Sequence, residues 1–223
     1  LLRLTADGWR TPRDLAGYLA RLGRALWPRV PPGAPPPAEE EPDFSGFRRA
    51  FWAERARIAL RELVPQRLGG ASVLVTAAEL SDLADAVFEV LLAEASRHVA
   101  RRFGEPRRAD GRVSSLVVLG MGKLGGRELN AGSDVDVVFF YDTDDGGAET
   151  SLHEHWTRVA QRVTATIDEP TADGQVWRVD LRLRPEGSRG PLVNSLGAAE
   201  RYYETWGRLW ERAALLRARP IAG

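Results

Sequence analysis

Gly132-Ser133-Asp134-Val135-Asp136-Val137-Val138-Phe139-Phe140-Tyr141 decides the fold. Six of its last eight residues are valine or aromatic, as a strand prefers, and alternate strand residues share a face. Asp134 and Asp136 therefore point one way, roughly 6.5 Å apart along the backbone. Val135, Val137 and Phe139 point the other way, toward a core. Two aligned carboxylates at the head of an apolar strand are costly to bury unless a cation sits on them. Two divalent ions about 3.5–4 Å apart fit that separation. All-oxygen ligands favour Mg²⁺, with Mn²⁺ as the substitute. A bare Asp-x-Asp is more often just a solvated strand start, so the reading needs support elsewhere.

Downstream support comes from Gln175 to Arg184, which reads as a further strand. Trp177, Val179, Leu181 and Leu183 make its apolar face; Arg178, Asp180, Arg182 and Arg184 make the other. A single acid among three arginines suits a metal-and-phosphate site, with Asp180 as third carboxylate. Arginine binds phosphate oxygens in two-pronged fashion. The competing reading is an exposed, salt-bridged strand.

Upstream, Ser115 to Leu119 reads as a buried strand, followed by Gly120-Met121-Gly122-Lys123-Leu124-Gly125. The glycine spacing imitates a dinucleotide-binding loop, and Asp142 even lies where a ribose-binding acid would. The imitation fails on length. Only Gly126 to Asn130 is available for a crossover helix, whereas a parallel crossover takes a dozen residues or more. A phosphate-binding Walker loop is excluded as well, because Leu124 follows Lys123 and the upstream glycine is missing. What remains is a turn whose amides approach phosphate closely, with Lys123 as a point charge. Of the 31 basic residues Lys123 alone is lysine. A position that stays lysine in so arginine-rich a chain suits a compact ammonium.

Helices surround these strands. Thr11, Pro12 and Asp14 look like a helix start ahead of Leu15, Tyr18, Leu19, Leu22 and Leu26. Pro28 to Pro42 holds seven prolines in fifteen residues and reads as a stiff solvated linker. Phe44 to Leu63 reads as a helix, with Arg48, Arg49, Arg55, Arg57 and Arg61 on its wet face. Thr76 to Glu79 fits a capping box opening a helix to about Ala100, and Arg101 to Arg112 a polar loop. Ser151 to Ile167 has helical spacing; its His153 and His155, two apart, face apart and make a poor metal pair. Two helical stretches after Ser195 break near Gly207; Trp206 and Trp210 are expected to pack, with Glu211 and Arg212 bracing the site. The expected division is 1–27 helical, 28–43 linker, 44–112 helical, 113–195 catalytic core and 196–223 helices packed on that core. The fold class is α+β, a small mixed sheet flanked by helices.

Bulk properties bound the function. Acids and bases balance at 31 each, so no nucleic acid partner is implied. There is no cysteine, hence no disulfide scaffold and no thiol nucleophile. No apolar run reaches a membrane span, and no signal peptide is visible. The chain reads as part of a longer cytoplasmic protein.

These motifs resemble the polymerase-β-like nucleotidyltransferases: a glycine turn, an Asp-x-Asp on the next strand, a third acid on a later one. Gly120 to Asn130, Gly132 to Tyr141, Val179-Asp-Leu-Arg-Leu-Arg-Pro-Glu-Gly187 and Trp210-Glu-Arg212 are similar to the glutamine synthetase adenylyltransferase/adenylyl-removing enzymes. Gly122-Lys123, where many superfamily members carry Gly-Ser, agrees with the narrower family. The resemblance covers roughly Phe44 to Gly223. It implies two catalytic copies in one long chain, one removing AMP from a tyrosine of glutamine synthetase with phosphate, the other adding AMP from ATP. Gly190-Pro-Leu-Val193, Tyr202-Tyr203 and Gly207 to Ala213 are more similar to the removing copy. Asp134, Asp136 and Asp180 would then be catalytic and metal-binding. Gly120, Gly122, Lys123, Gly132, Ser133, Arg182 and Arg184 would hold the nucleotide or phosphate. Glutamine synthetase, ATP or phosphate and ADP, and a PII-type signalling protein are the implied partners. The alternatives are the adenylylating half of the same chemistry, a non-catalytic domain sensing nucleotide or a signalling protein, and a helical interaction module carrying a vestigial core.

Overall fold

The computed structural model describes residues 9–223. The first eight residues of the expected 1–27 segment lie outside the described residues. A bundle of long helices packs on one face of a small mixed sheet. The α+β expectation holds.

Helix α1 (Leu15–Leu26) is capped by Asp14, whose carboxylate accepts the Gly17 amide. Thr11 is not the cap; its carbonyl takes the Arg57 guanidinium instead. Pro28 to Pro42 contains no helix or strand, and Arg97 ties it down through the carbonyls of Pro36 and Pro37. Helix α2 (Phe44–Leu63) spans the expected residues. Helix α3 (Val73–Phe103) starts earlier than the capping-box reading put it, because Ser72 supplies the cap. Thr76 turns its hydroxyl to Glu62, and Glu79 goes to the interior.

That interior corrects the reading of α2. Arg48, Arg57 and Arg61 are buried, not wet. Glu79 accepts from the Arg13 amide at 2.9 Å, the Tyr18 hydroxyl at 3.2 Å, Arg57 at 2.8 Å and Arg61. Glu54 takes Arg13, Arg21 and Arg57. Buried charges survive only when paired and hydrogen-bonded. This network joins α1, α2 and α3 beside the apolar contacts of Tyr18, Leu22, Leu26, Phe47, Phe51 and Leu83.

The sheet is built on β2 (Leu116–Gly120) and β3 (Val135–Tyr141), antiparallel from Leu116 opposite Tyr141 to Gly120 opposite Val137. A small two-stranded ribbon, β1 (Arg107–Arg108) with β4 (Gly146–Gly147), lies apart from it. Helix α5 (Leu152–Asp168) is capped by Ser151. Along the free edge of β3 run two short parallel strands, β5 (Val179–Asp180) at its start and β6 (Val193–Ser195) at its end. The long strand expected over Gln175 to Arg184 thus shrinks to two residues. Val176 and Trp177 both give their amides to the Ile167 carbonyl and both are buried, which breaks the alternation.

After β6 come α6 (Leu196–Thr205) and α7 (Leu209–Leu215), then β7 (Arg219–Ala222). The 196–223 segment is therefore not all helix: β7 pairs antiparallel with β2, setting Arg219 opposite Gly120. Pro220 is tolerated because β7 is an edge strand. Val135, Val137, Phe139 and Tyr141 face the helical core. Val138 and Phe140 face the other way, against Ala199, Tyr203, Ala214 and Leu215 of α6 and α7. Among the described residues no helix is long and apolar enough to cross a membrane.

Candidate active site

The start of β3 gathers the expected acids. Asp134 stands one residue before the strand. Asp136 is its second residue, and β5 sets Asp180 opposite it. By strand alternation Asp136 shares the face of Val138 and Phe140, the one α6 and α7 cover. Burial, then the carboxylates of Asp180 and Asp134, push the Asp136 carboxyl above the usual range. Asp136 therefore feels the charge of both Asp180 and Asp134.

The arginines answer that charge. Arg178 clasps Asp134 through Nε at 2.7 Å and Nη2 at 2.6 Å. Arg182 clasps Asp180, with Nε at 2.9 Å from one carboxylate oxygen and its own amide at 2.8 Å from the other. Those hydrogen bonds hold the Asp180 carboxyl below the usual range. Arg184 is placed differently. Its guanidinium is spent on the carbonyls of Leu181, Gly190 and Pro191, so it shapes the turn after β5 and does not join the acids.

The glycine turn lies beside them. Helix α4 (Gly122–Gly125) is a single turn between antiparallel strands, a geometry no dinucleotide-binding unit has. The Met121 amide donates to the Asp136 carbonyl at 2.8 Å. Gly122 has φ +54°, and a Cβ there would stand 3.4 Å from the Asp136 carboxylate. Gly125 serves packing, since a Cβ would run into the Arg217 carbonyl at 1.8 Å. Lys123 donates from Nζ to the Ser133 hydroxyl at 3.1 Å, and Ser133 donates to Asn130 at 2.6 Å. Gly120, Gly122, Lys123 and Ser133 are thus drawn to the same end of the sheet as the acids. Gly132 has open space around its Cα.

Two contributors escaped the sequence reading. Arg55 on α2 lies against the rings of Trp52 and Trp177 at 5.0 and 5.2 Å and donates to the Ala131 carbonyl. It therefore anchors the loop leading into Asp134 to the helical layer. Arg219 pairs with buried Asp85 of α3, at 2.7 and 3.0 Å, and so pins β7 beside Gly120. Conversely, Trp206 and Trp210 do not pack as expected; both are exposed. Glu211 is buried and accepts from the Tyr202 hydroxyl at 2.8 Å and the Arg208 amide at 2.7 Å, fixing the corner between α6 and α7. Arg212 donates to the Gly207 carbonyl within that corner. His155 is buried beside Trp156, and His153 faces Tyr141.

Comparison with known proteins gives the family. Residues 10–223 match the family model described as glutamate-ammonia ligase adenylyltransferase. The chain belongs to this family. Among curated relatives, one from Thioalkalivibrio sulfidiphilus is 47% identical over 173 residues, 76% of this chain and 17% of the relative. One from Burkholderia mallei is 42% identical over 194 residues, 85% and 20%. One from Xanthomonas campestris is 39% identical over 215 residues, 94% and 22%. Each is named bifunctional glutamine synthetase adenylyltransferase/adenylyl-removing enzyme. The chain spans about a fifth of their length. The family match begins at residue 10, so it takes in α1, which the resemblance over Phe44 to Gly223 did not.

Proposed function

We propose that this chain removes AMP from an adenylylated tyrosine of glutamine synthetase by phosphorolysis, releasing ADP and restoring the free tyrosine. The observation that carries the reading is the pairing of Asp136 with Asp180 across β3 and β5, with Asp134 two residues away. Three carboxylates at one end of the sheet, one with its proton affinity raised by burial and by the other two, make a centre that a divalent cation would relieve. The donors are all oxygen, which suits Mg²⁺ or Mn²⁺. Among the described residues no three acidic or histidine side chains already close on a common point. Asp134 and Asp180 are turned to Arg178 and Arg182, whose cationic groups hold the place of positive charge.

Asp134, Asp136 and Asp180 would hold two such ions, which would neutralise phosphate charge and favour departure of tyrosinate. Arg178 and Arg182, both on the surface, can swing from carboxylate to phosphate oxygens. Lys123 adds a point charge from the glycine turn, and Ser133 orients it. A phosphate oxygen attacks the adenylyl phosphorus, the bond to the tyrosine oxygen breaks, and ADP leaves. Positioning and charge neutralisation supply most of such a rate enhancement.

The removing direction rests on Gly190 to Val193, Tyr202-Tyr203 and Gly207 to Ala213, which are similar to the removing copy. The adding direction, with ATP as donor, uses the same centre. The test is incubation with adenylylated glutamine synthetase, Mg²⁺ and phosphate. ADP that appears and vanishes with Asp134→Asn supports the reading. AMP incorporation from ATP into the unmodified synthetase, without ADP release, reverses the direction.

A further inference from the structure

The turn after β5 and the corner between α6 and α7 enclose a cleft of about 410 Å³. That is within the roughly 300–1,000 Å³ of small-ligand sites. Glu186, Arg189, Tyr202, Arg208, Trp210 and Glu211 line it. Its walls follow on elements of the site: the turn comes after β5, which carries Asp180, and α6 and α7 cover Val138 and Phe140. One of its lining residues adjoins the backbone of Arg182. Gly187, with φ +60°, lies so close that a Cβ there would be 3.5 Å from the Arg182 carbonyl, and Arg182 is the residue clasping Asp180.

One side of the cleft is rigid and the other is free. Tyr202 and the Arg208 amide are committed to Glu211. Among the described residues the side chains of Glu186 and Arg189 have no hydrogen-bonding partner, and the Trp210 ring is 54% exposed. An exposed indole beside an unpaired carboxylate matches the two surfaces of adenine: a π face that stacks, and an amino group that donates.

We infer that this cleft takes the adenine of the transferred adenylyl group, with Trp210 stacking on the base and Glu186 accepting from its 6-amino group. The inference rests on the proposed adenylyl chemistry and adds the residues that choose the base. Hypoxanthine carries a carbonyl where adenine carries the amine, so the Glu186 carboxylate repels it.

The test measures binding of ADP and IDP by isothermal titration, alongside phosphorolysis. Wild type binds ADP at least tenfold more tightly than IDP. Trp210→Ala weakens ADP about ten- to hundredfold, the usual worth of one stacked base. Glu186→Gln narrows or reverses the ADP preference, because the amide donates to the hypoxanthine carbonyl. Trp206→Ala, a neighbouring exposed ring outside the cleft, leaves both affinities unchanged. Both Trp210 and Glu186 are on the surface, so the variants fold, and circular dichroism checks it. Unaltered ADP affinity and base preference in both variants, with phosphorolysis still lost in Asp134→Asn, would overturn the adenine site and leave the carboxylate centre standing. The adenine site is equally overturned if Trp210→Ala raises KM for the adenylylated protein while leaving ADP affinity at the wild-type value, since the ring then contacts protein and not base. Loss of phosphorolysis in the wild type itself would count against the proposed direction, while base preference would still decide the cleft.

Discussion

Asp136 and Asp180 are Cα partners on neighbouring parallel strands, so their carboxylates leave the sheet side by side on one face. Like charges at such range disfavour ionisation and burden the fold. Asp136→Asn removes one charge while keeping the shape. At pH 7 without metal the variant should melt no lower than wild type, and higher if the repulsion dominates. Millimolar Mg²⁺ should raise the melting temperature of wild type and leave the variant unmoved, because a ligand stabilises only the form that binds it. A variant that responds to Mg²⁺ as wild type does would refute the proposed ligand set.

Arg55 reaches from α2 to the Ala131 carbonyl between two indole rings. Arg55→Ala should cost about 1–3 kcal/mol, the sum of stacking and one hydrogen bond. It should also lower kcat more than it raises KM for phosphate, since it frees the loop before Asp134 without touching substrate. Arg55→Lys should restore neither, because an ammonium cannot stack and reach together. Urea midpoints and steady-state phosphorolysis separate the two effects.

Glu79 is buried among Arg57, Arg61 and Tyr18. Removing one partner of such a network strands the others. Glu79→Ala should destabilise by about 3–5 kcal/mol, and Glu79→Gln by less, since the amide still accepts. Urea unfolding measures it. A loss under about 1 kcal/mol would mean the cluster is solvated.

His155 is buried, and burial together with Arg158 holds its imidazole below the usual range. A base depressed in the fold favours the neutral form. Its full contribution to stability is present above the unfolded value near 6.5 and is lost as pH falls from there toward the lower folded value. His98, depressed by burial and Arg162, acts in the same sense. The melting temperature should fall between pH 7 and 5, and His155→Leu should flatten part of that fall.

How far the sequence was legible follows from where each signal lived. The β2 and β3 strands, α2, α5 and the break near Gly207 were readable because their periodicity is local. That Asp134, Asp136 and Asp180 lie at one end of the sheet was readable because acids interrupting apolar strands violate the pattern. The buried arginines of α2 were not, since Arg57 finds Glu79 twenty-two positions away and no local rule announces it. Arg219-Pro220-Ile221-Ala222 carries too few residues and a proline, and becomes a strand only because β2 offers an edge. The Gln175 to Arg184 alternation overreached: Trp177 is drawn down into the helical core against Phe51, at 5.0 Å, and only two residues remain to pair.

Lys123 carries the only lysine amine in the sequence, and it stands at the glycine turn beside Ser133. The chain thereby holds a built-in reporter. A lysine-directed endoprotease has a single bond to cut, between Lys123 and the buried Leu124, and can reach it only when that turn opens. The rate of that one cleavage, with and without nucleotide, would time the motions of the centre without altering a residue.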